Sequence, residues 1–215
     1  MDAPFHVAIA PSGVSRMPMR MLSQALLTIL LPILLLGGCT TGPPPNLYML
    51  DLPFTAQMAG LEKGLAVGIG PLELPQYLDR PQIITRAGVN RLQAAEAHIW
   101  AEPIKDSALR VLVVTIARAL DSNRIYLLPR RVRTTLDWRV AIDVGRFDGA
   151  IGGDVLLAAR WSLYRGDEKD VSLTRVSIVE EAVVGPDYEA LVTAQTRAVA
   201  RLGEEIAAAI QSGGS

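Results

Sequence analysis

Alternating apolar and polar positions dominate the second half of the chain and predict three long β-strands. In the first strand the apolar positions are Leu136, Trp138, Val140, Ile142 and Val144. Their parity changes after Gly145, which predicts a β-bulge there. The second strand spans 155–163, and the third spans 171–178 with another change of parity before Val176 and Ile178. Turn residues between the strands predict an antiparallel meander.

Shorter apolar runs in the first half predict further strands and one turn of helix. Strands are expected at 47–52 and 65–69, the latter ended by Gly70-Pro71. Prolines bracket residues 75–80, which predicts a single helical turn. Two short apolar segments around a Gly-containing turn predict a hairpin over 83–94.

Two segments carry apolar residues at helical spacing. The first is 101–120, with Pro103 in its first turn, and a strand at 124–128 follows it. The second is Asp187–Ile210, whose first residue is expected to be the N-cap and whose stripe is interrupted only by Gln195. The predicted fold class is α/β, bordering on α+β, with a mixed sheet flanked by two main helices.

An apolar run near the start precedes the only cysteine of the chain. Arg16 and Arg20 lead into Leu22–Leu36, which has the length of a signal-peptide core and is shorter than the roughly 20 residues of a membrane span. The Leu-Gly-Gly-Cys ending resembles the lipobox of bacterial lipoproteins. This resemblance implies that Cys39 is acylated and becomes the first residue of the mature chain. A spanning helix or a buried helix is the alternative.

Thr40 follows the cysteine, and in enterobacterial lipoproteins an aspartate at this position favours retention in the inner membrane. The resemblance therefore implies an outer-membrane lipoprotein that faces the periplasm, carried on an extended Gly-Pro-Pro-Pro tether. Met17 and Met19 are alternative translation starts. The expected organisation is a leader at 1–38, the lipidated cysteine and tether at 39–46, one domain at 47–211 and a flexible tail at 212–215.

Composition gives little sign of catalysis. The net charge is −1 without a basic cluster, which argues against nucleic-acid binding. His98 is the only histidine after the leader, so a Cys/His dyad or a zinc site cannot be assembled, and we expect no catalytic residue, metal or cofactor. Asp137, Asp143 and Asp148 are expected on solvent faces or turns. A glycosidase-like pair of carboxylates is not excluded by the sequence, because the two members of such a pair meet in space and not in order along the chain.

Several stretches have sequences that composition alone does not explain. They are 46–50, 67–83, 98–104, 146–149 and 158–161, which include Tyr-Leu-Asp-Arg-Pro-Gln-Ile and Trp-Ala-Glu-Pro. Together they resemble the ABC-type transport auxiliary lipoprotein family. The resemblance implies an anticodon-binding-domain-like fold, also seen in the TolB N-terminal domain. It further implies a homo-oligomer that docks an MCE-family lipid-transport protein at the outer membrane and has no assigned catalytic residues.

Two of these stretches supply the candidate site. Its residues are Tyr77, Leu78, Asp79, Arg80, Pro81, His98, Trp100 and Glu102. They either contact the partner or brace the fold, with Asp79 and Arg80 as a local ion pair and Glu102 capping the following helix. The alternative function is a periplasmic lipid-binding carrier, which needs an apolar pocket, or less readily an envelope hydrolase.

Overall fold

A mixed eight-stranded sheet organises the protein in a computed structural model that describes residues 44–52, 62–129, 134–166 and 169–213. The leader, Cys39 and Thr40 lie outside these residues. The strands are β1 (Asn46–Tyr48), β2 (Val67–Glu73), β3 (Gln82–Gly88), β4 (Arg91–Trp100), β5 (Ile125–Leu127), β6 (Trp138–Gly149), β7 (Asp154–Arg165) and β8 (Val171–Ala182). The helices are α1 (Ile104–Ala119) and α2 (Tyr188–Gln211), and a 3-10 turn covers Gln76–Leu78.

Strand β6 is the centre of the sheet. One of its edges pairs along its whole length with antiparallel β7, which in turn pairs with β8. Its other edge is shared by two parallel strands, β2 beside its first half and β3 beside its end. Beyond these, β5 is parallel to β2, β4 is antiparallel to β3, and β1 is parallel to β4. The predicted fold class, a mixed sheet with two helices, is confirmed.

Both helices pack together on one face of the sheet, α1 over β2 and β5 and α2 over β6 to β8. The alternating residues of the meander point into this layer, and Val140, Leu157 and Leu163 are almost completely buried. Each such side chain contributes about 1.5–3 kcal/mol through burial. The predicted cap of α2 is confirmed, because the Ala190 N–H donates to Asp187 Oδ1 at 2.9 Å. Within the described residues, no helix combines the length and apolarity needed to cross a membrane.

The predicted bulge in β6 is confirmed, while the second change of parity, in β8, is wrong. Register shifts between Val144 and Arg146. In β8, however, Ser177 faces the core and Val176 and Ile178 are exposed. The reason is a hydrogen bond: the Trp161 indole N–H donates to Ser177 Oγ at 2.8 Å, which satisfies a polar residue at a core position.

The first-half strands and α1 also differ from the prediction at their ends. Strand β2 does not stop at Gly70-Pro71 but continues to Glu73, with an irregular register between Ile69 and Leu72. Gly70 has a φ of +129°, which a glycine adopts without strain. Strand β1 covers only Asn46–Tyr48, and α1 begins after Pro103, which is its N-cap.

Candidate functional site

The loop between β2 and β3, residues 75–81, contains the first motif and is folded as the 3-10 turn. The Leu78 N–H donates to Pro75 O at 2.9 Å, and the buried Leu78 side chain anchors the turn in the core. Asp79, Arg80 and Pro81 are exposed on the other side. The loop therefore has an inner side that contacts the sheet and an outer side that faces solvent.

The inner side carries Tyr77, which joins a cluster around Asp148 on β6. We call Tyr77, Arg86, Arg146 and Asp148 the Asp148 network. The Arg86 guanidinium binds both carboxylate oxygens at 2.5 and 2.8 Å, and Arg146 Nε donates to Oδ1 at 3.1 Å. The Tyr77 hydroxyl donates to Oδ2 at 2.9 Å and accepts the Phe147 N–H at 3.1 Å. This network connects the loop motif to the Arg-Phe-Asp-Gly motif.

Asp148 is fully buried, so the expectation of a solvent-exposed position is wrong. Burial by itself raises the pKa of the carboxyl. Hydrogen bonds from Arg86, Arg146 and Tyr77 outweigh burial and hold the pKa below its ordinary value. Burial also raises the pKa of Tyr77. Because its hydrogen bonds are made to fixed side chains of the protein, the carboxylate is a structural anion.

Sequence reasoning missed Arg86, which lies in β3 well away from the motif aspartate. Its side chain is 23% exposed and spans from Asp148 to the turn at the end of β3, where Nη1 donates to Val89 O at 2.8 Å. The local pattern of β3 contains no sign of this pairing. Only the side-by-side placement of β3 and the end of β6 brings the two charges together.

The outer side of the loop borders a cleft of about 720 Å³, which we call the motif cleft. Its lining comes from both predicted motifs and from the end of β2. The lining residues are Glu73, Leu74, Gln76, Leu78, Asp79, Arg80, Pro81, Glu102, Pro103, Ile104 and Lys105. The backbone ties the two motifs together, since the Trp100 N–H donates to Pro81 O at 2.7 Å.

Charges at the rim of the motif cleft are only partly paired. Among the described residues, the predicted ion pair between Asp79 and Arg80 does not form, and neither side chain has a hydrogen bond or ion pair. Lys105 Nζ lies 3.9 Å from Glu73 Oε1, at the limit of an ion pair. The rim thus presents a carboxylate beside a guanidinium, neither of which is paired with another residue that the structure describes.

Glu102 braces α1 rather than capping it. The expected side-chain cap is absent: Pro103 is the N-cap, and both Glu102 oxygens instead accept hydrogen bonds from Arg110, eight residues further along the chain. These bonds from Arg110 lower the pKa of Glu102. The carboxylate therefore fixes the wall of the motif cleft and is not free for a ligand.

His98 and Trp100 are not part of the cleft lining and contribute to the fold. Trp100 is buried at the end of β4. The His98 ring stacks on Tyr188 at 4.0 Å between centroids, and its Nδ1 shares a hydrogen bond of 2.9 Å with the Tyr48 hydroxyl. We call Tyr48, His98 and Tyr188 the aromatic clip, because it fastens β1 to β4 and to the start of α2. Within the described ranges, no group of three or more His, Cys, Asp or Glu side chains is arranged to hold a metal ion.

These motifs lie within the part of the chain that matches a known protein family. The model of the family described as "ABC-type transport auxiliary lipoprotein component" matches residues 48–207. This chain belongs to that family. The match spans the loop, the motif cleft, the Asp148 network and both helices. No curated protein matches the chain.

Two solved structures share the fold. One, described only as an uncharacterized protein, is 17% identical with a TM-score of 0.64, and the alignment covers 78% of this chain and 99% of that one. The other is a DUF330-family protein from Xanthomonas campestris, 20% identical with a TM-score of 0.56, covering 80% of this chain and 98% of that one. At these identities the likeness concerns the fold.

Proposed function

We propose that this family member is a non-enzymatic, lipid-anchored docking component that holds an MCE-type conduit at the outer membrane. Acylated Cys39 is the anchor, the periplasm is the working compartment, and a homo-oligomer presents several docking sites to one conduit. The family match supports a role in ABC transport. The more specific docking role rests on the motif cleft.

The motif cleft supports docking because hydrogen bonds hold the residues of its walls in place, whereas two charged side chains at its rim have no described partner. Glu102 is bound by Arg110, and the Asp148 network holds the inner side of the loop. Asp79 and Arg80 are then left exposed without described partners on a rigid turn. A partner that supplies one basic and one acidic side chain would meet both charges with little loss of conformational entropy.

Co-purification in mild detergent tests this role. We expect the wild-type chain to retain an MCE protein from the native envelope and Arg80→Glu to lose it, because the reversed charge repels the acidic group of the partner. Arg91→Glu is the matched control, since Arg91 is also exposed but lies at the far end of the β3–β4 hairpin. Equal retention by both variants would contradict docking at the cleft, and no MCE protein with the wild type would contradict the role.

Lipid binding is the second candidate, because a cleft of about 720 Å³ with Leu74, Leu78 and Ile104 in its lining has room for part of a lipid. Delipidated protein mixed with phospholipid vesicles would then retain phospholipid in a fixed molar ratio. Leu74→Asp, placed in the lining, would abolish that retention, whereas Leu92→Asp on the exposed hairpin would not. Retention that is absent or unaffected by Leu74→Asp would exclude the carrier.

A further inference from the structure

Strand β8 forms a long edge of the sheet that no other described strand covers. It is twelve residues long, and its pairing is confined to β7. Exposed edges of this length are usually shortened, twisted or blocked by proline or lysine. The residues of β8 include neither proline nor lysine. The edge is therefore open to another strand.

The direction of the backbone groups shows which residues are available. The Val183 N–H donates to Gly153 O on the β7 side. Because N–H and C=O groups alternate between the two sides of a strand, those of Thr174, Val176 and Ile178 point to the open edge. The side chains of Val176 and Ile178 also stand on the face away from the helices, 63% and 67% exposed.

Helix α2 closes the C-terminal end of this edge. Arg201 Nη1 donates to Glu180 O at 3.3 Å, and Arg197 Nη2 donates to Ala182 O at 2.7 Å. Both arginines also bind the Glu181 carboxylate, which keeps them in place. An incoming strand is thus stopped at Glu180, and the open stretch is centred on the two exposed apolar residues.

We propose that a second copy of this chain adds to β8, antiparallel about a two-fold axis through Ser177. Val176 of each copy then lies opposite Ile178 of the other, so that all four exposed apolar side chains form one cluster. Thr174 lies opposite Glu180, and the two Glu180 carboxylates stay at opposite ends of the contact. A shift of two residues would place Ile178 against Thr174 and break the apolar cluster.

A two-fold contact of this kind is isologous and satisfies the open edge of both copies at once. Assemblies built on it contain an even number of chains. The inference rests on the homo-oligomeric part of the proposed function and not on docking at the motif cleft. The two can therefore fail separately.

Native mass spectrometry of the full chain in detergent tests the contact. We expect paired chains for the wild type, and Val176→Asp should raise the dissociation constant by roughly tenfold or more, since it places a charge against Ile178 of the second copy. Val89→Asp is the control, because Val89 is 90% exposed at the hairpin turn. A monomeric wild type would overturn both the homo-oligomer and the contact. A wild-type oligomer that Val176→Asp leaves intact would overturn the contact alone.

Mixed disulfide formation tests the register. Chains carrying Val176→Cys and chains carrying Ile178→Cys should crosslink when mixed, because directly opposed residues lie about 5.5 Å apart between Cα atoms. A mixture of Thr174→Cys and Val176→Cys should not, and the wild type, with only Cys39, gives the background. Crosslinking of the second mixture in preference to the first would overturn the two-fold axis through Ser177.

Discussion

The inner and outer sides of the 75–81 loop differ in whether the charged groups beside them are paired. On the inner side, Tyr77 enters a network in which one buried carboxylate accepts hydrogen bonds from three side chains. On the outer side, Asp79 and Arg80 are neighbours that do not pair. A single turn thus combines a structural half with a half that is free for a partner, so substitutions in the two halves should have different consequences.

The largest loss of stability is expected for Asp148→Asn. The neutral amide leaves Arg86 and Arg146 close together without their shared anion, at a cost of about 3 kcal/mol in the free energy of unfolding. Urea denaturation measures this loss. Asp143→Asn, on the same strand but exposed, is the control and should change the free energy little. Equal effects of the two substitutions would mean that the network does not stabilise the fold.

A smaller loss is expected for Tyr77→Phe. The ring keeps its place, but the Asp148 carboxylate and the Phe147 N–H both lose a hydrogen bond to the hydroxyl, at a cost of about 1–2 kcal/mol. Thermal and urea unfolding measure it. Tyr164→Phe is the matched control, since the contact of Arg139 is with the ring of Tyr164 and survives the change. If Tyr77→Phe also abolished MCE retention at unchanged stability, the division of the loop into two halves would be wrong.

Acid should weaken the inner half selectively. The folded pKa of Asp148 lies below its ordinary value, so the unfolded chain takes up the proton first and the contribution to stability is lost as pH falls. The loss begins near the unfolded aspartate pKa of about 3.9 and continues through the lower folded value. The free energy of unfolding, measured with urea across acidic pH, should fall less steeply with decreasing pH for Asp148→Asn than for the wild type. An identical dependence of the free energy of unfolding on pH would contradict this account. The other two carboxylates with a lowered pKa, Glu102 and Glu181, are present in both proteins and contribute equally to both.

The smallest effect on stability is expected on the outer half. Arg80→Ala removes an exposed side chain without a described partner and should change the free energy of unfolding by less than about 0.5 kcal/mol. The same variant should nevertheless reduce MCE retention. A loss of stability comparable to that of Tyr77→Phe would show that Arg80 also braces the loop.

Local patterns predicted the parts of the fold that depend on local burial. The meander, the bulge after Val144 and the Asp187 cap follow from side-chain alternation and helix-end chemistry, and the structure contains all three. The pattern failed in β8, where the hydrophobicity of Val176 and Ile178 suggested the wrong parity. A hydrogen bond from Trp161 satisfies Ser177 on the inward face there, and that donor belongs to another strand.

The candidate site was predictable only as separate pieces. Family resemblance identified the Tyr77 and Glu102 motifs, but not that they border one cleft. Arg86 and Asp148 are 62 residues apart in the chain, so no local pattern could connect them. The pairing depends on how β3 and β6 meet in the sheet, which propensity and periodicity do not encode.

The aromatic clip has a mechanical consequence. Only residues 40–45 separate Cys39 from β1, and an extended chain of that length reaches at most about 25 Å. If the proposed acylation holds Cys39 in a bilayer, any pull on the domain passes through the three residues of β1 before reaching β4. We expect the contacts of Tyr48 with His98 and Tyr188 to resist this force. Under a sufficient pull, β1 would separate from β4 before the core was disturbed.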